Sequence, residues 1–210
     1  MRRRFTGWPE RAFDVLLHLQ GEPSPHEREI YRKDREHLVR QPMIALFNDL
    51  ADMNPAYEDF SVWSFRKTSW WWQHQCGVIR MARNVEIGIR FDLDGLRIQG
   101  AWWYPEPVQV ACFRRAVADE RQGGELTKIV ESLQAMEYEI TGDIMKRPPR
   151  GYSADHPRLS LLLHRSLIAA RPLGCEDWLH NPDGVDQVYQ ACQDLDPLLN
   201  WLADHVNRTS

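Results

Sequence analysis

The sequence predicts an α+β fold: an antiparallel sheet of about four or five strands around a central hairpin, packed by helices from both ends of the chain. Three observations carry that expectation. Between Val85 and Leu93 apolar residues alternate strictly with polar ones, the period of a strand with one buried face. The segments before and after show apolar residues at three- and four-residue spacing, the period of a helix lying on a surface. No internal repeat, low-complexity tract or linker interrupts the 210 residues, so a single domain over 1–210 is expected.

The elements follow in order. Pro9 suits a first helical position, and Phe13, Leu16, Leu17 and Leu19 crowd one side of a short helix over 9–20. A longer helix is expected over 25–50, charged in its first half. Met43, Leu46, Phe47 and Leu50 give the spacing of a buried face in its second half, and Pro42 kinks or divides it. Phe60–Arg66 and Cys76–Arg83 read as strands. In the hairpin, Asp94-Gly95 is a type I′ turn signal, and Leu96, Ile98, Gly100, Trp102 and Tyr104 resume the alternation. That turn sets Leu93 opposite Leu96 and Phe91 opposite Ile98, with Asp92 beside Arg97 and Glu86 beside Trp103. Pro105-Glu106-Pro107 opens a helix to about Asp119 with Val108, Cys112, Phe113 and Val117 inward. Gly123-Gly124 separates it from a helix over 125–135. The proline-dense stretch 146–152 reads as loop. Asp155 is placed to cap a helix beginning near Pro157, Ser166–Leu173 reads as one more strand, and two helices close the chain, the second restarting at Asp196-Pro197.

Composition narrows the function classes. Hydrophobic residues make up 43% and charged residues 27%, the balance of a globular chain, which excludes disorder. Lys and Arg number 26 against 30 Asp and Glu, a net charge of −4, which disfavours a nucleic-acid partner. No apolar stretch follows the basic start, and none is long enough to span a bilayer, so neither a signal peptide nor a membrane partner is expected. Cys76, Cys112, Cys175 and Cys192 form no Cys-x-x-Cys pair and read as small buried hydrophobes, reduced in a cytoplasm, with no metal and no cofactor implied. The familiar phosphate-binding, dinucleotide, serine-hydrolase and zinc-protease motifs are absent from the sequence.

Three segments resemble a known family. They are Phe5-Thr6-Gly7-Trp8-Pro9, Trp103-Tyr104-Pro105-Glu106-Pro107, and Lys146-Arg147-Pro148-Pro149-Arg150-Gly151-Tyr152-Ser153-Ala154-Asp155-His156-Pro157 with the later Ser166-Leu167-Ile168-Ala169-Ala170-Arg171-Pro172-Leu173. In this order they are similar to the bacterial and fungal conserved-hypothetical family called domain of unknown function 2461, for which the resemblance implies no activity. The family's stretch of Arg-Asp-x-Arg-Phe, then an acid or amide before Lys, then Tyr, aligns on 61–72. Phe65 keeps its type there, while Ser61, Val62, Ser64, Ser69 and Trp72 replace the charged residues and the tyrosine. The chain reads as a divergent member with aromatic surface where the family carries charge.

Nine tryptophans stand out. Trp70-Trp71-Trp72, with Trp63 before them and Trp102-Trp103 across the expected sheet, fit either an aromatic ligand wall or helix packing on both sheet faces. Arg66 and Lys67 are the basic residues near that run, too few for a nucleic-acid surface. Lys146, Arg147 and Arg150, with Arg171 downstream and Arg90 on the hairpin, suit capture of an anion; pairing with Asp155, Glu106 or carbonyl groups is the structural alternative. His156, beside Asp155, and His74 are the candidate general bases, with helix capping the alternative for His156. His164 lies eight residues beyond His156, too far along a helix to share a metal. The expected function is cytoplasmic binding of a small polar or aromatic metabolite, in a pocket walled by Trp63, Trp71 and Trp103 and edged by the basic loop, whether or not a reaction of specialised metabolism follows. The alternative is an interaction module, self-associating as a homo-oligomer through exposed aromatics.

Overall fold

The computed structural model describes residues 4–64 and 69–207. Helices α1 (Arg11–His18), α2 (Pro25–Asp34) and α3 (Gln41–Met53) come first, followed by strands β1 (Phe60–Val62), β2 (Gln75–Ala82), β3 (Val85–Asp92) and β4 (Gly95–Trp102). Helices α4 (Pro107–Ala118) and α5 (Glu120–Ala135), strand β5 (Glu139–Thr141), the single turn α6 (Leu159–Leu162), strand β6 (Leu167–Gly174) and helix α7 (Gly184–Val206) complete it. The strands form one antiparallel sheet in the order β1-β2-β3-β4-β6-β5. The sheet thus has six strands rather than four or five, the three-residue β5 being the one without an apolar alternation to announce it.

The chain divides into two compact units. The first comprises 1–79, 88–98 and 172–191. Its core is made where Trp8 stacks on Phe91, with ring centroids 4.5 Å apart, and donates its indole N–H to the Val39 carbonyl at 3.0 Å. Gly7 has φ 96°, and a Cβ there would lie 2.1 Å from the His180 carbonyl carbon, so the Gly7-Trp8 bend requires glycine. Between α2 and α3 a π-helical turn, Arg35–Arg40, absorbs the missing N–H of Pro42 and lets the helical path continue. Leu17 is 59% exposed while Leu16 and Leu19 are buried, so it does not join the expected face.

The second unit comprises 80–87, 99–171 and 192–210. Trp102 packs on Phe113 and Phe113 on Trp201, at 5.0 and 6.0 Å, to form its aromatic centre. Helix α4 buries Cys112, Phe113 and Val117 as expected but leaves Val108 exposed. Helix α5 runs straight through Gly123-Gly124 instead of starting after them. Asp119 caps it, accepting from the Gln122 N–H at 2.8 Å, and Gly123 sits where a Cβ would meet the Val117 carbonyl oxygen at 2.0 Å. Asp155 is exposed and caps nothing; the His156 ring accepts the Arg158 N–H at 3.1 Å and starts α6. Helix α7 is continuous through Pro197, its two halves held by buried Leu195, Leu198, Leu199, Trp201 and Leu202.

Val85, Ile87, Ile89, Phe91, Ile98 and Trp102 are all buried, as the hairpin pattern requires. The turn itself lies one residue earlier than expected. Strands β3 and β4 leave Leu93-Asp94 between them, and Gly95 alone takes a positive φ, 92°, so the turn is not type I′. Trp103 donates its N–H to the Asn84 carbonyl at 2.9 Å, where the expected register placed it beside Glu86. A slip of two residues leaves every side chain on its predicted face, which is why burial agrees while the turn does not.

Candidate functional site

A cleft of about 940 Å³ opens in the second unit. Its first wall is the passage from β4 to α4. Asn84, in the turn after β2, has φ 62° and gives its amide to the Gln109 Oε1 at 2.9 Å; the Glu106 N–H donates to the same oxygen at 2.9 Å. These bonds pin 103–106 and hold Trp103 in the wall, with Tyr104 stacked near it at 6.1 Å. Helix α4 then presents Pro107, Val110 and Arg114, spaced three and four apart along one face. The second wall is Thr141-Gly142-Asp143 at the end of β5 with Arg165, Ser166 and Ile168 around the start of β6. Gly142 has φ 140°, and a Cβ there would lie 2.1 Å from the Ser166 carbonyl oxygen. Its lack of a side chain therefore lets the two segments close on one another. Asp143 N–H donates to Ser166 Oγ at 2.8 Å, and Arg165 N–H donates to the Asp143 carbonyl at 2.7 Å.

The charges in the cleft are unequally matched. Arg165 Nη2 donates to Asp143 Oδ1 at 2.8 Å, an exposed pair. Arg114 has no carboxylate partner among the described residues. Its Nη2 meets Met145 Sδ at 2.9 Å, and its Nε is shielded from solvent with no acceptor. Nearby His164 is buried, and burial lowers its pKa, so the ring is neutral near pH 7. Because a carbonyl only accepts, the 3.0 Å contact with the Ser166 oxygen places the His164 proton on Nδ1.

Of the residues singled out from the sequence, Trp103 lines this cleft. Trp63 and Trp71 meet edge to face at 5.1 Å in the first unit, and His74 packs 5.5 Å from Trp71. Burial first, then the charges of Arg90 and Arg35, lower the His74 pKa to about 4, so it is no base near neutrality. Arg90 pairs with Asp92 at 2.7 Å. The tryptophan run is not a strand: Ser69–Trp72 form a 3-10 turn, so the expected alternation of three indoles across a sheet does not occur. Trp72 is buried; Arg66, Lys67 and the Trp70 side chain lie outside the described residues.

Lys146, Arg147 and Arg150 are exposed on the proline-rich loop, and none of them lines the cleft. The alternative of a loop pinned by Arg150 finds no support, since its side chain is exposed and Glu106 is engaged by Arg83. Arg171 is held inside the fold, over the Tyr138 ring at 4.6 Å, 3.6 Å from Asp194 and bonded to the Met136 carbonyl at 3.1 Å. His156 serves the α6 turn, and Cys175 is exposed rather than buried. Sequence reasoning missed Arg114, Gly142, Asp143, Arg165 and Ser166. Thr141-Gly142-Asp143 carried a turn signal, and the Pro107, Val110, Arg114 spacing marked one face of a helix; neither pattern says what stands opposite.

Residues 65–201 match the family model described as conserved hypothetical protein (DUF2461). The chain belongs to this family. The DUF2461 match contains every residue that lines the cleft, whereas Phe5–Pro9, which also resembles the family, lies before it. No curated protein and no solved structure matches the chain. Among the described residues, no helix is long and apolar enough to cross a membrane, and no three His, Cys, Asp or Glu side chains are grouped to hold a metal ion.

Proposed function

We propose that this DUF2461 member binds a small polar or aromatic metabolite in the cleft between the Trp103–Pro107 wall and the Thr141–Asp143 and Arg165–Ser166 segments, and that it works in the cytoplasm. One observation carries the reading: an indole wall and an arginine without a carboxylate partner face the same cleft, whose volume falls in the usual range for small-ligand sites. Four free cysteines suit a reducing compartment. The test is ligand-observed NMR on the purified chain with a panel of small aromatic acids, amines and neutral molecules, repeated on Trp103→Ala. Binding of at least one member, weakened at least tenfold by the substitution, supports the reading; no binding, or equal binding to the variant, refutes it.

A second reading, self-association, draws on Tyr104, Val108 and Ile144, which are 88%, 62% and 50% exposed in or beside the cleft lining. Native mass spectrometry separates the two. A ligand retained by a monomer supports the first, and a ligand-free dimer lost in Tyr104→Ser supports the second.

A further inference from the structure

We infer that Arg114 is the anion-binding residue of the cleft, and that the ligand class is an organic carboxylate carrying a flat apolar body. This rests on the reading of the cleft as a ligand site and names what that site selects.

A guanidinium has five N–H donors and no acceptor, and a donor withdrawn from water is costly unless it meets an oxygen. At the other half-buried arginines of the second unit that demand is met. Arg158 gives its guanidinium to the Val117, Ala118 and Asp119 carbonyls at 2.7–3.2 Å, and Arg171 bonds the Met136 carbonyl beside Asp194. At Arg114 it is not. Nε has no acceptor, and Nη2 meets a thioether sulfur, which accepts weakly. The one carboxylate lining the cleft, Asp143, is engaged by Arg165. A half-buried cation is thus left for something that is not protein.

The surroundings select the rest of the molecule. Trp103, Pro105, Pro107, Val110 and Ile168 offer apolar surface, which a bare inorganic anion would leave unfilled. An indole face favours a flat partner. One guanidinium without a carboxylate partner balances one negative charge, which fits a carboxylate meeting its Nη end rather than a phosphate dianion. Ser166 Oγ already accepts from Asp143, so its own proton is left to donate to a polar substituent.

The test uses the full chain with 3-phenylpropionate and indole-3-acetate, each against its primary amide, by ligand-observed NMR titration. Inorganic phosphate serves as competitor. At least one acid is expected to bind tenfold or more tighter than its amide. Arg114→Met should raise the Kd of that acid at least tenfold without lowering the melting temperature, Arg114→Lys should recover part of the loss, and phosphate should not compete. Equal binding of acid and amide overturns the inference and leaves the ligand-site reading standing. An unchanged Kd in Arg114→Met, or displacement of the acid by phosphate, overturns it in the same way. Absence of binding by acids and amides alike overturns both. The comparison of acid with amide on the unmodified chain is decisive even if the variants fail to fold.

Discussion

Replacing Arg35 with methionine is expected to destabilise the fold by about 3–5 kcal/mol, the range found when one side of a buried charged contact is deleted. Arg35 is 1% exposed and lies in the π turn between α2 and α3. Its guanidinium donates to the carbonyls of Trp72, Trp71 and His74 at 3.1, 3.0 and 2.5 Å and to Gln75 Oε1 at 3.2 Å. A hydrogen bond to a charged group contributes about 1.5–3 kcal/mol, so four such bonds form a large gross term. The opposing term is the withdrawal of the cation from water, which lowers its pKa to about 10 and costs about 3 kcal/mol. Methionine removes that cost but leaves three backbone carbonyls without their donor; the difference of the two terms, about 3–9 kcal/mol, has the stated range as its lower part. Urea denaturation followed by tryptophan fluorescence and circular dichroism at pH 7 reads it. A midpoint near that of the wild type, within about 1 kcal/mol at equal slope, would refute the view that Arg35 organises 71–75. Arg35→Lys should recover only part, because an ammonium does not present the same planar fan of donors.

Two further outcomes follow from charge and burial. The His74 pKa lies near 4 in the fold against about 6.5 unfolded, so the neutral ring is favoured; its contribution is complete above pH 6.5 and lost as pH falls toward 4. Unfolding titrations should show up to about 3 kcal/mol of acid-dependent loss that His74→Phe lacks, and parallel curves for the two proteins would count against it. Arg147→Ala and Arg150→Ala should each change stability by less than about 0.5 kcal/mol, since both side chains are exposed; a loss of several kcal/mol at either would show a locked loop.

Patterns that depend on burial were legible in the sequence, and patterns that depend on a partner far along the chain were not. The alternation of Val85 to Phe91 revealed the hairpin because a period of two has one consequence, burial of one face. It did not locate the turn, because Leu93-Asp94 with a positive φ at Gly95 satisfies the same alternation as a turn at Asp94-Gly95. Local breakers misled where packing outweighed them. Gly123-Gly124 and Pro197 each lower helix propensity, but Leu126, Val130 and Leu133 in one helix and Leu195, Leu198 and Leu202 in the other are buried and carry the helix across. Adjacent tryptophans at 70–72 suggested a strand wall, and a 3-10 turn places them otherwise. Trp103, which lines the cleft, was singled out because an indole after a strand is conspicuous. Arg114 was missed because an arginine on a helix is ordinary until its acceptors are counted.

That count also bears on why the basic residues most visible in the sequence do not line the cleft. Lys146, Arg147 and Arg150 are conspicuous by being close together, yet they lie exposed in water, where screening leaves a charge little to gain. Across 61–72, where the family pattern carries arginines of its own, cations arrive from another element. Arg40 bonds the Trp63 and Val62 carbonyls at 3.1 and 3.3 Å and Glu36 at 2.8 Å, and Arg35 bonds the Trp71 and Trp72 carbonyls. Those two guanidiniums are committed to acceptors within the protein, main-chain oxygens above all, and hold the aromatic segment in place. A half-buried cation is open to a ligand when the fold withholds its acceptor. That criterion supports the proposed site, where half-buried Arg114 meets only a sulfur in the cleft that Trp103 lines, and substituting the arginines that already have their oxygens should alter stability rather than affinity.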